Sequence, residues 1–272
     1  MYKILASDLD NTALLDGHLT EVNKQAIQKA CNAGMEFVAV TGRGLSAVAA
    51  DFYDIEGFNY AITSNGACIS NVRTGEIIRR FTVTEENTEK LLRIGLEKGA
   101  AFEIFVDGRA YVSEEYYADP AGYGMPERLV SYIKYARTPI PDIIGYIREH
   151  MGQIDNFVYV VKNAEMHNAV ADAVREQCPD SFIVDCDHQW VEVMNVNCNK
   201  GNGLKILAEF LGISRNEIVA FGDGDNDIEM LEYAGTSIAM GNASKKLKAV
   251  ADRITLGVNS NGLAYEIERI LK

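Results

Sequence analysis

The chain has 272 residues, of which 47% are hydrophobic and 24% are charged, and its formal net charge is -13. This length is sufficient for one large domain or for two modest domains, each with its own core. A net negative charge of this size argues against a general nucleic-acid or membrane-surface binder, because both partners are polyanionic. A small anionic substrate is not excluded, since local positive groups at a site can outweigh the mean field.

The cysteines and the apolar runs bear on the compartment. The chain has five cysteines and no CxxC pair: Cys31, Cys68, Cys178, Cys186 and Cys198. This odd number favours reduced thiols. The first residue leads directly into an apolar strand without a signal peptide's basic and apolar regions, and no apolar run approaches the roughly 18 residues of a membrane span. We therefore expect a cytoplasmic protein with no nucleic-acid and no membrane partner, either a monomer or a small homo-oligomer.

The first predicted element is an apolar strand within the segment KILASDLDNT, residues 3–12, which ends in Asp8 and Asp10. A buried parallel strand is a short apolar run, and polar groups just past its carboxyl end lie where open α/β sheets bind ligands. Two carboxylates this close repel each other unless a positive charge lies near them. The segment therefore predicts a site with a divalent cation or with a lysine from elsewhere in the chain.

The next segments alternate between helix and strand. They are a helix over 20–33, a strand over 36–40 that ends in Thr41-Gly42-Arg43, a short helix around 45–52, and a strand over 60–63 that ends in Ser64-Asn65-Gly66. Three strands separated by helical segments predict a parallel, doubly wound sheet. An ordinary turn explains Ser64-Asn65-Gly66 almost as well as a place at the site does.

The pattern changes near residue 80, where alternation replaces continuous apolar runs. The segments that follow predict helices over 85–98, 142–151 and 164–177, strands over 156–162, 181–187 and 190–196, and a hairpin within 102–112 that turns at Asp107-Gly108. We expect a mixed or antiparallel sheet with one helical face. Residues 81–196 are thus predicted to form an α/β domain inserted into a core domain of residues 1–80 and 197–272.

The parallel pattern returns at Lys200. A helix is followed by an apolar strand over 218–221, which ends in the sequence GDGDND. The two glycines permit a tight loop, and Asp223 and Asp227 bring carboxylates to a second strand end. Ligands that are all oxygen favour a hard cation, and Mg²⁺ fits best.

An EF-hand is the main competing interpretation of this loop, because Asp223, Asp225 and Asp227 have the spacing of a calcium loop. The glycine position of that motif holds Ile228, and its twelfth position holds Ala234 in place of glutamate. The sequence therefore argues against a calcium loop here.

Four motifs occur in order: DxDxT from Asp8, a strand-terminal Thr41, Lys200, and GDxxND ending at Asp227. Together they resemble the phosphatase motifs of the haloacid dehalogenase-like superfamily, and the insert resembles the larger α/β cap of its Cof-type sub-family. The resemblance implies a doubly wound, Rossmann-like parallel-sheet core with an inserted α/β cap. It also implies Mg²⁺-dependent hydrolysis of a small phosphorylated metabolite, with sugar phosphates as the leading substrates.

The resemblance further implies roles for the acidic residues. Asp8 would attack phosphorus to give an aspartyl-phosphate, while Asp10 would protonate the leaving oxygen and then deprotonate the attacking water. Mg²⁺ would be held by Asp8, the backbone carbonyl of Asp10 and Asp223. Asp227 belongs to the same metal group and would orient water or Lys200.

The predicted contacts with the phosphoryl group come from hydrogen-bond donors and from positively charged groups. They are the side chains of Thr41, Lys200 and Asn226 and the backbone N–H groups of Leu9 and Gly42. Lys200 would also neutralise charge that develops in the transition state. For Arg43, an anionic substrate and an internal carboxylate are equally good partners.

Two other functions stay open. A phosphomutase shares the nucleophile and the metal but returns the phosphoryl group to a sugar. A receiver-type phosphoacceptor domain is also a doubly wound sheet with a phosphorylated aspartate and Mg²⁺, although Asp10 and the large insert argue against it.

The histidines do not predict a metal site. His18, His150, His167 and His188 share no ligand spacing. Asp185 and Asp187 beside His188 favour a solvated turn between two strands of the insert. We therefore expect surface or helix-face roles for the histidines.

Overall fold

The computed structural model of the chain describes residues 2–187 and 189–272. His188 and the side chains of Asp185 and Asp187 lie outside this description, so the turn expected there stays a prediction. The strands, in chain order, are β1 (Ile4–Ser7), β2 (Leu14–Leu15), β3 (His18–Leu19), β4 (Glu36–Val40), β5 (Phe58–Thr63), β6 (Cys68–Asn71), β7 (Ile77–Arg80), β8 (Ala101–Val106), β9 (Arg109–Ser113), β10 (Arg137–Ile140), β11 (Ile154–Val160), β12 (Ser181–Asp187), β13 (Trp190–Asn195), β14 (Ile218–Gly222), β15 (Thr236–Ala239) and β16 (Arg253–Ile254).

The α-helices lie between these strands. They are α1 (Glu21–Asn32), α2 (Glu85–Lys98), α3 (Glu114–Ala118), α4 (Glu127–Ala136), α5 (Ile143–Glu149), α6 (Ala164–Gln177), α7 (Lys200–Leu211), α8 (Ile228–Tyr233), α9 (Lys245–Val250) and α10 (Gly262–Ile270). Two short 3₁₀ helices, Leu45–Ala47 and Ala50–Asp54, replace the single short helix predicted there. In the described part of the chain, every helix is too short or too polar to cross a membrane.

The chain divides into two compact units. One comprises Met1–Arg43, Val48–Arg80 and Asn199–Lys272, and the other comprises Gly44–Ala47 and Phe81–Cys198. The second unit therefore includes a four-residue segment that directly follows Arg43, as well as the long insert.

The first unit is built on one sheet with the order β16-β15-β14-β1-β4-β5-β6-β7. The strands from β16 to β5 are parallel, and β6 and β7 extend the sheet as antiparallel strands at one edge. Apolar residues of α7, α8 and α9 pack on one face of the sheet. Helix α1 also packs on the sheet, at β4, and on α10. A parallel sheet with helices packed on it is the doubly wound α/β core that the sequence predicts, so this prediction is confirmed.

The register of the central strands determines where the polar turns lie. In β1, Ser7 pairs with Phe221 of β14 on one side and with Ala39 of β4 on the other. The ladder continues one step further, since the Asp8 N–H donates to the Phe221 carbonyl at 2.9 Å. Asp8, Thr41 and the GDGDND loop thus begin at the same edge of the sheet, as expected for parallel strands.

Local sequence signals predict the first helix and its ends correctly. The side-chain oxygen of Thr20 accepts a hydrogen bond from the Asn23 N–H and caps α1. Gly34 follows the helix with a φ of 88°, in the left-handed region that glycine favours.

The second unit contains a six-stranded mixed sheet with the order β10-β9-β8-β11-β13-β12. Its pairs are antiparallel except β9 with β10. The β8–β9 hairpin turns at Asp107 and Gly108 with φ values of 51° and 70°, which confirms the predicted two-residue turn. Helices α2, α5 and α6 cover one face.

The prediction that helices cover one face of this sheet is incomplete. Tyr116 of α3 and Ile133 of α4 pack with Val112 and Val160, whose neighbours along each strand belong to the other face. These helices lie within residues 114–136, where no element was expected from the sequence. Part of the second face is therefore also covered by helices.

Candidate active site

Three charged side chains meet at the carboxyl edge of the first unit's parallel sheet. The Nζ of Lys200 donates to Oδ1 of Asp8 at 2.7 Å and to Oδ1 of Asp227 at 2.6 Å. The exposed fractions of the Lys200, Asp8 and Asp227 side chains are 1%, 7% and 0%. A buried lysine between two buried carboxylates is expensive unless all three are paired, so this arrangement is a candidate functional site.

The location of Lys200 opposes two ordinary preferences. It is the first residue of α7, where the helix dipole disfavours a positive charge. Burial by itself would lower the pKa of Lys200, but the charges of Asp227 and Asp8 raise that pKa above its ordinary value. The ammonium group is therefore kept charged by the two carboxylates.

Asp227 fixes the loop as well as the lysine. Its Oδ2 accepts hydrogen bonds from the N–H groups of Asp223 and Gly224, both at 2.9 Å. A Cβ on Gly222 would lie 2.6 Å from the Asp227 side chain, and Gly222 does not have a positive φ. The glycine at 222 is thus required by close approach of the carboxylate, rather than by backbone conformation.

Asp8 and Asp223 carry negative charge that their surroundings do not fully balance. Burial raises the pKa of Asp8 well above its ordinary value, and Lys200 offsets only part of this effect. Burial, and then the charge of Asp227, raise the pKa of Asp223 to about 6. The Asp223 carboxylate accepts hydrogen bonds from the Thr12 hydroxyl at 3.1 Å and from Nδ2 of Asn242 at 3.5 Å.

These acids fit a divalent cation. Asp8, Asp223 and Asp227 each offer a carboxylate oxygen, and the three atoms lie within 4.8 Å of one another. Three carboxylates face one ammonium group, so a divalent cation would balance their charge, and oxygen donors suit a hard ion. Among the described residues, the histidines take no part in a group of this kind.

The Asp10 carboxylate lies apart from this cluster and pairs with Arg43. The Nε of Arg43 donates to Oδ2 of Asp10 at 2.9 Å, and its Nη2 donates to Oδ1 at 2.6 Å. The Asp10 side chain is 51% exposed and that of Arg43 is 12% exposed. Of the two partners considered for Arg43, the internal carboxylate is the one seen here, in a bidentate geometry.

Thr41 and Gly42 form a turn beside Asn65. The hydroxyl oxygen of Thr41 accepts from the Arg43 N–H at 3.1 Å, and its backbone carbonyl accepts from the Asn65 N–H at 3.0 Å. The side chain of Asn226 donates to Oδ1 of Asn65 at 3.0 Å. Leu9 lies fully buried between Asp8 and Asp10.

The sequence left Asn65 open between an ordinary turn and the site, and it placed Arg43 and Asp10 at the site without pairing them with each other. The signal for Asn65 was its place after the third parallel strand, at the same sheet edge as Thr41. That signal gives a location but not a partner.

Comparison with known proteins decides the family. The sequence model for haloacid dehalogenase-like hydrolases matches residues 5–267. The chain belongs to this family. It is 27% identical over 290 residues to the phosphatase YwpJ of Bacillus subtilis (strain 168), covering 99% of this chain and 100% of that one.

Two further relatives match over at least 94% of their length. One is the 5-amino-6-(5-phospho-D-ribitylamino)uracil phosphatase YitU of Bacillus subtilis (strain 168), 26% identical over 269 residues, with 96% and 94% of the two chains covered. The other is the solved structure of a haloacid dehalogenase-like hydrolase from B. subtilis, with 27% identity, a TM-score of 0.83, and 98% and 99% coverage.

This haloacid dehalogenase-like, Cof-type chain is a phosphatase, a hydrolase that acts on small phosphate esters. Phosphatases of the family generally use a divalent metal, and the cluster of Asp8, Asp223 and Asp227 is where this chain would hold it. The predictions of family, fold class and enzyme class are confirmed. The roles of individual residues stay predictions.

Proposed function

We propose that this phosphatase hydrolyses a sugar phosphate or a similar small monoester with Mg²⁺, through an aspartyl-phosphate on Asp8. The observation that carries the proposal is the buried Lys200, bonded to Asp8 and Asp227 beside a third carboxylate. A nucleophile needs its charge open to phosphorus and balanced by nearby cations, and Lys200 together with a divalent ion at this cluster would supply that balance.

In the first step, a carboxylate oxygen of Asp8 attacks phosphorus. A P–O bond to Asp8 forms while the bond to the leaving oxygen breaks, and Asp10 gives that oxygen a proton. Oδ1 of Asp8 is bonded to Lys200, so Oδ2 is the oxygen for attack. When bound, Mg²⁺ supplies Lewis-acid polarisation of the phosphoryl oxygens and charge balance for the cluster.

In the second step, water attacks phosphorus and the bond to Asp8 breaks. Asp10 accepts the proton of this water, which leaves Asp10 protonated as it was before the first step. Arg43 occupies both oxygens of Asp10 in the structure, so proton transfer requires one of these hydrogen bonds to be exchanged for the substrate. We propose that Arg43 holds Asp10 in place as a carboxylate while no substrate is bound. Asp10 then takes a proton from solvent as the substrate displaces one of these bonds, and it returns that proton to solvent when it pairs with Arg43 again.

Thr41, Asn226 and the N–H groups of Leu9 and Gly42 are proposed to bind the phosphoryl oxygens. Thr41 is 1% exposed and lies in the same turn as Gly42, which favours a fixed geometry over an adaptable one. Fixed donors cost little reorganisation when charge develops on the oxygens. Lys200 is proposed to lower the energy of that developing charge.

Metal dependence tests the proposal first. We expect a chelator to abolish hydrolysis of an activated aryl phosphate and Mg²⁺ to restore it, because the donors are carboxylates that otherwise repel each other. Ca²⁺ should restore the rate poorly, since it prefers longer bonds and more ligands. Full rescue by Zn²⁺ alone would contradict the choice of a hard, oxygen-bound ion. Metal binding is measured separately, as the dependence of the thermal unfolding temperature on Mg²⁺ concentration.

The second unit is proposed to be a cap domain that selects the substrate. All the side chains that we assign to phosphoryl transfer lie in the first unit. The relative YitU is a 5-amino-6-(5-phospho-D-ribitylamino)uracil phosphatase. The phosphorylated ribityl chain of the compound in this name resembles a sugar phosphate. This likeness supports a polyol or sugar phosphate as the substrate class.

A chimera tests this division of labour. We expect that replacing Phe81–Cys198 with the corresponding segment of YitU preserves Mg²⁺-dependent hydrolysis of an aryl phosphate. The same chimera should hydrolyse the YitU substrate at least about 10-fold faster than the parent does, since specificity is a difference in contacts with the leaving group. Thermal unfolding of the chimera controls for its fold. A folded chimera with the parent's ranking of substrates would place specificity in the first unit.

A further inference from the structure

The turn after β5 has an unusual backbone. Ser64, Asn65 and Gly66 have φ values of 48°, 51° and 101°, so three consecutive residues lie in the left-handed region. Residues other than glycine occupy this region infrequently. Such conformations persist where the surrounding structure enforces them, and they are often found at functional sites. Ser64 and Asn65 are also buried, with 1% and 2% of their surface exposed.

The surroundings hold this turn from two sides. The N–H groups of Ser64 and Asn65 donate to the carbonyls of Arg43 and Thr41 at 2.9 and 3.0 Å. On the other side, a Cβ added to Gly66 would lie 2.3 Å from the carbonyl oxygen of Asn199, the residue that caps α7. The turn is therefore packed between the Thr41 turn and the start of the Lys200 helix.

The Asn65 side chain joins two of the loops that we assign to phosphate binding. Its Oδ1 accepts from Nδ2 of Asn226 at 3.0 Å. Its amide group also lies against Gly42, because a Cβ on that glycine would be 3.2 Å from both Nδ2 and Oδ1 of Asn65. Strands β4 and β1 separate β5 from β14 in the sheet, so Asn65 connects loops on the two sides of Asp8.

We propose that Asn65 is a positioning residue that keeps Asn226 and the Thr41–Gly42 turn at the spacing that a phosphoryl group requires. The inference rests on the proposed phosphate-binding role of Asn226. Because Asn65 accepts from Nδ2 of Asn226, it determines which end of that amide faces the Gly42 side. The left-handed backbone of the turn after β5 allows the Asn65 side chain to reach both loops.

A double-mutant cycle tests the proposal with Asn65→Gly, Asn226→Ala and the combined variant. Glycine accommodates a φ of 51° without strain, so Asn65→Gly removes the side chain and leaves the turn able to form. We expect each single change to lower kcat/KM for an aryl phosphate about 10-fold and to weaken inhibition by inorganic phosphate by a similar factor. The combined variant should fall by well under about 100-fold, because part of the effect of Asn65 acts through Asn226.

Asn261→Gly is the matched control. Asn261 has the same φ of 51°, and its Oδ1 accepts from the Thr20 hydroxyl at 3.0 Å, in a place that takes no part in the proposed chemistry. It should change thermal unfolding as much as Asn65→Gly does, while kcat/KM and phosphate inhibition stay at parental values.

The outcomes separate the two hypotheses. If Asn226→Ala weakens phosphate inhibition but Asn65→Gly does not, or if the effects multiply to about 100-fold, the positioning role of Asn65 is wrong and the proposed function stands. If neither change alters phosphate inhibition, the phosphate-binding role of Asn226 is wrong, and the inference for Asn65 fails with it.

Discussion

Asp8→Asn is expected to lower kcat by at least about 10⁴-fold, because removal of a nucleophile leaves only the contribution of binding and positioning. The fold should be retained. Asparagine has nearly the same volume, and Lys200 keeps its second bond, to Asp227 at 2.6 Å. The change also removes one charge from a buried, mutually repelling group of carboxylates. Rate and thermal unfolding are measured together on the same preparation.

Asp225→Asn provides the matched control for this prediction. Asp225 lies in the GDGDND loop, but its carboxylate is bound by Ser244 at 2.6 Å and by Lys246 at 2.7 Å, and its side chain is 45% exposed. The same chemical change should leave kcat near the parental value. An acid-quenched reaction with a labelled phosphate ester should place the label on Asp8 in the parent and in Asp225→Asn. Label on another residue would remove Asp8 from the nucleophile role.

The positions of three site residues could be predicted from sequence because each of them follows a recognisable strand. Asp8, Thr41 and Asp223 all come just after apolar runs, and parallel strands bring their carboxyl ends to one edge. Local sequence and one rule of sheet topology therefore locate these residues, whichever partners their side chains have.

The hydrogen-bond partners could not be predicted in the same way. Arg43 and Asp10 are 33 positions apart, and Asn65 and Asn226 are 161 apart. Whether such side chains meet depends on the conformation of each turn, and the left-handed backbone at Asn65 has no signal as clear as a glycine would give. The contact of Asp227 with Lys200, by contrast, is one of the two roles that the family resemblance implied for Asp227.

The missed helices of the second unit show a different limit. Residues 114–136 contain Pro120 and Gly124, which interrupt the helical pattern between α3 and α4. Their packing depends on Tyr116, whose hydroxyl donates to Glu103 at 2.9 Å on the sheet. Short helices of this kind are held by tertiary contacts, so periodicity in the sequence is a weak guide to them.

Lys200→Met is expected to lower both stability and rate, for separable reasons. It leaves the Asp8 and Asp227 carboxylates buried without their shared cation, which by analogy with other broken buried pairs costs about 3–5 kcal/mol of unfolding free energy. The rate should fall by at least about 10²-fold, the usual effect of losing one charge-stabilising donor. As a control, Lys24→Met breaks a 2.9 Å pair with Asp54 whose side chains are 29% and 69% exposed. That change should leave stability and rate almost unaltered.

A second variant separates the loss of stability from the loss of rate. Lys200→Met combined with Asp227→Asn removes one of the two uncompensated carboxylates, while the amide oxygen introduced at position 227 can still accept from the N–H groups of Asp223 and Gly224. We expect this variant to recover much of the lost unfolding free energy and none of the lost rate, because the Lys200 ammonium group no longer faces the developing charge on the phosphoryl group. Recovery of both would mean that Lys200 acts through stability alone. A rise in KM with an unchanged kcat would make it a binding residue, since uniform binding does not stabilise the transition state selectively.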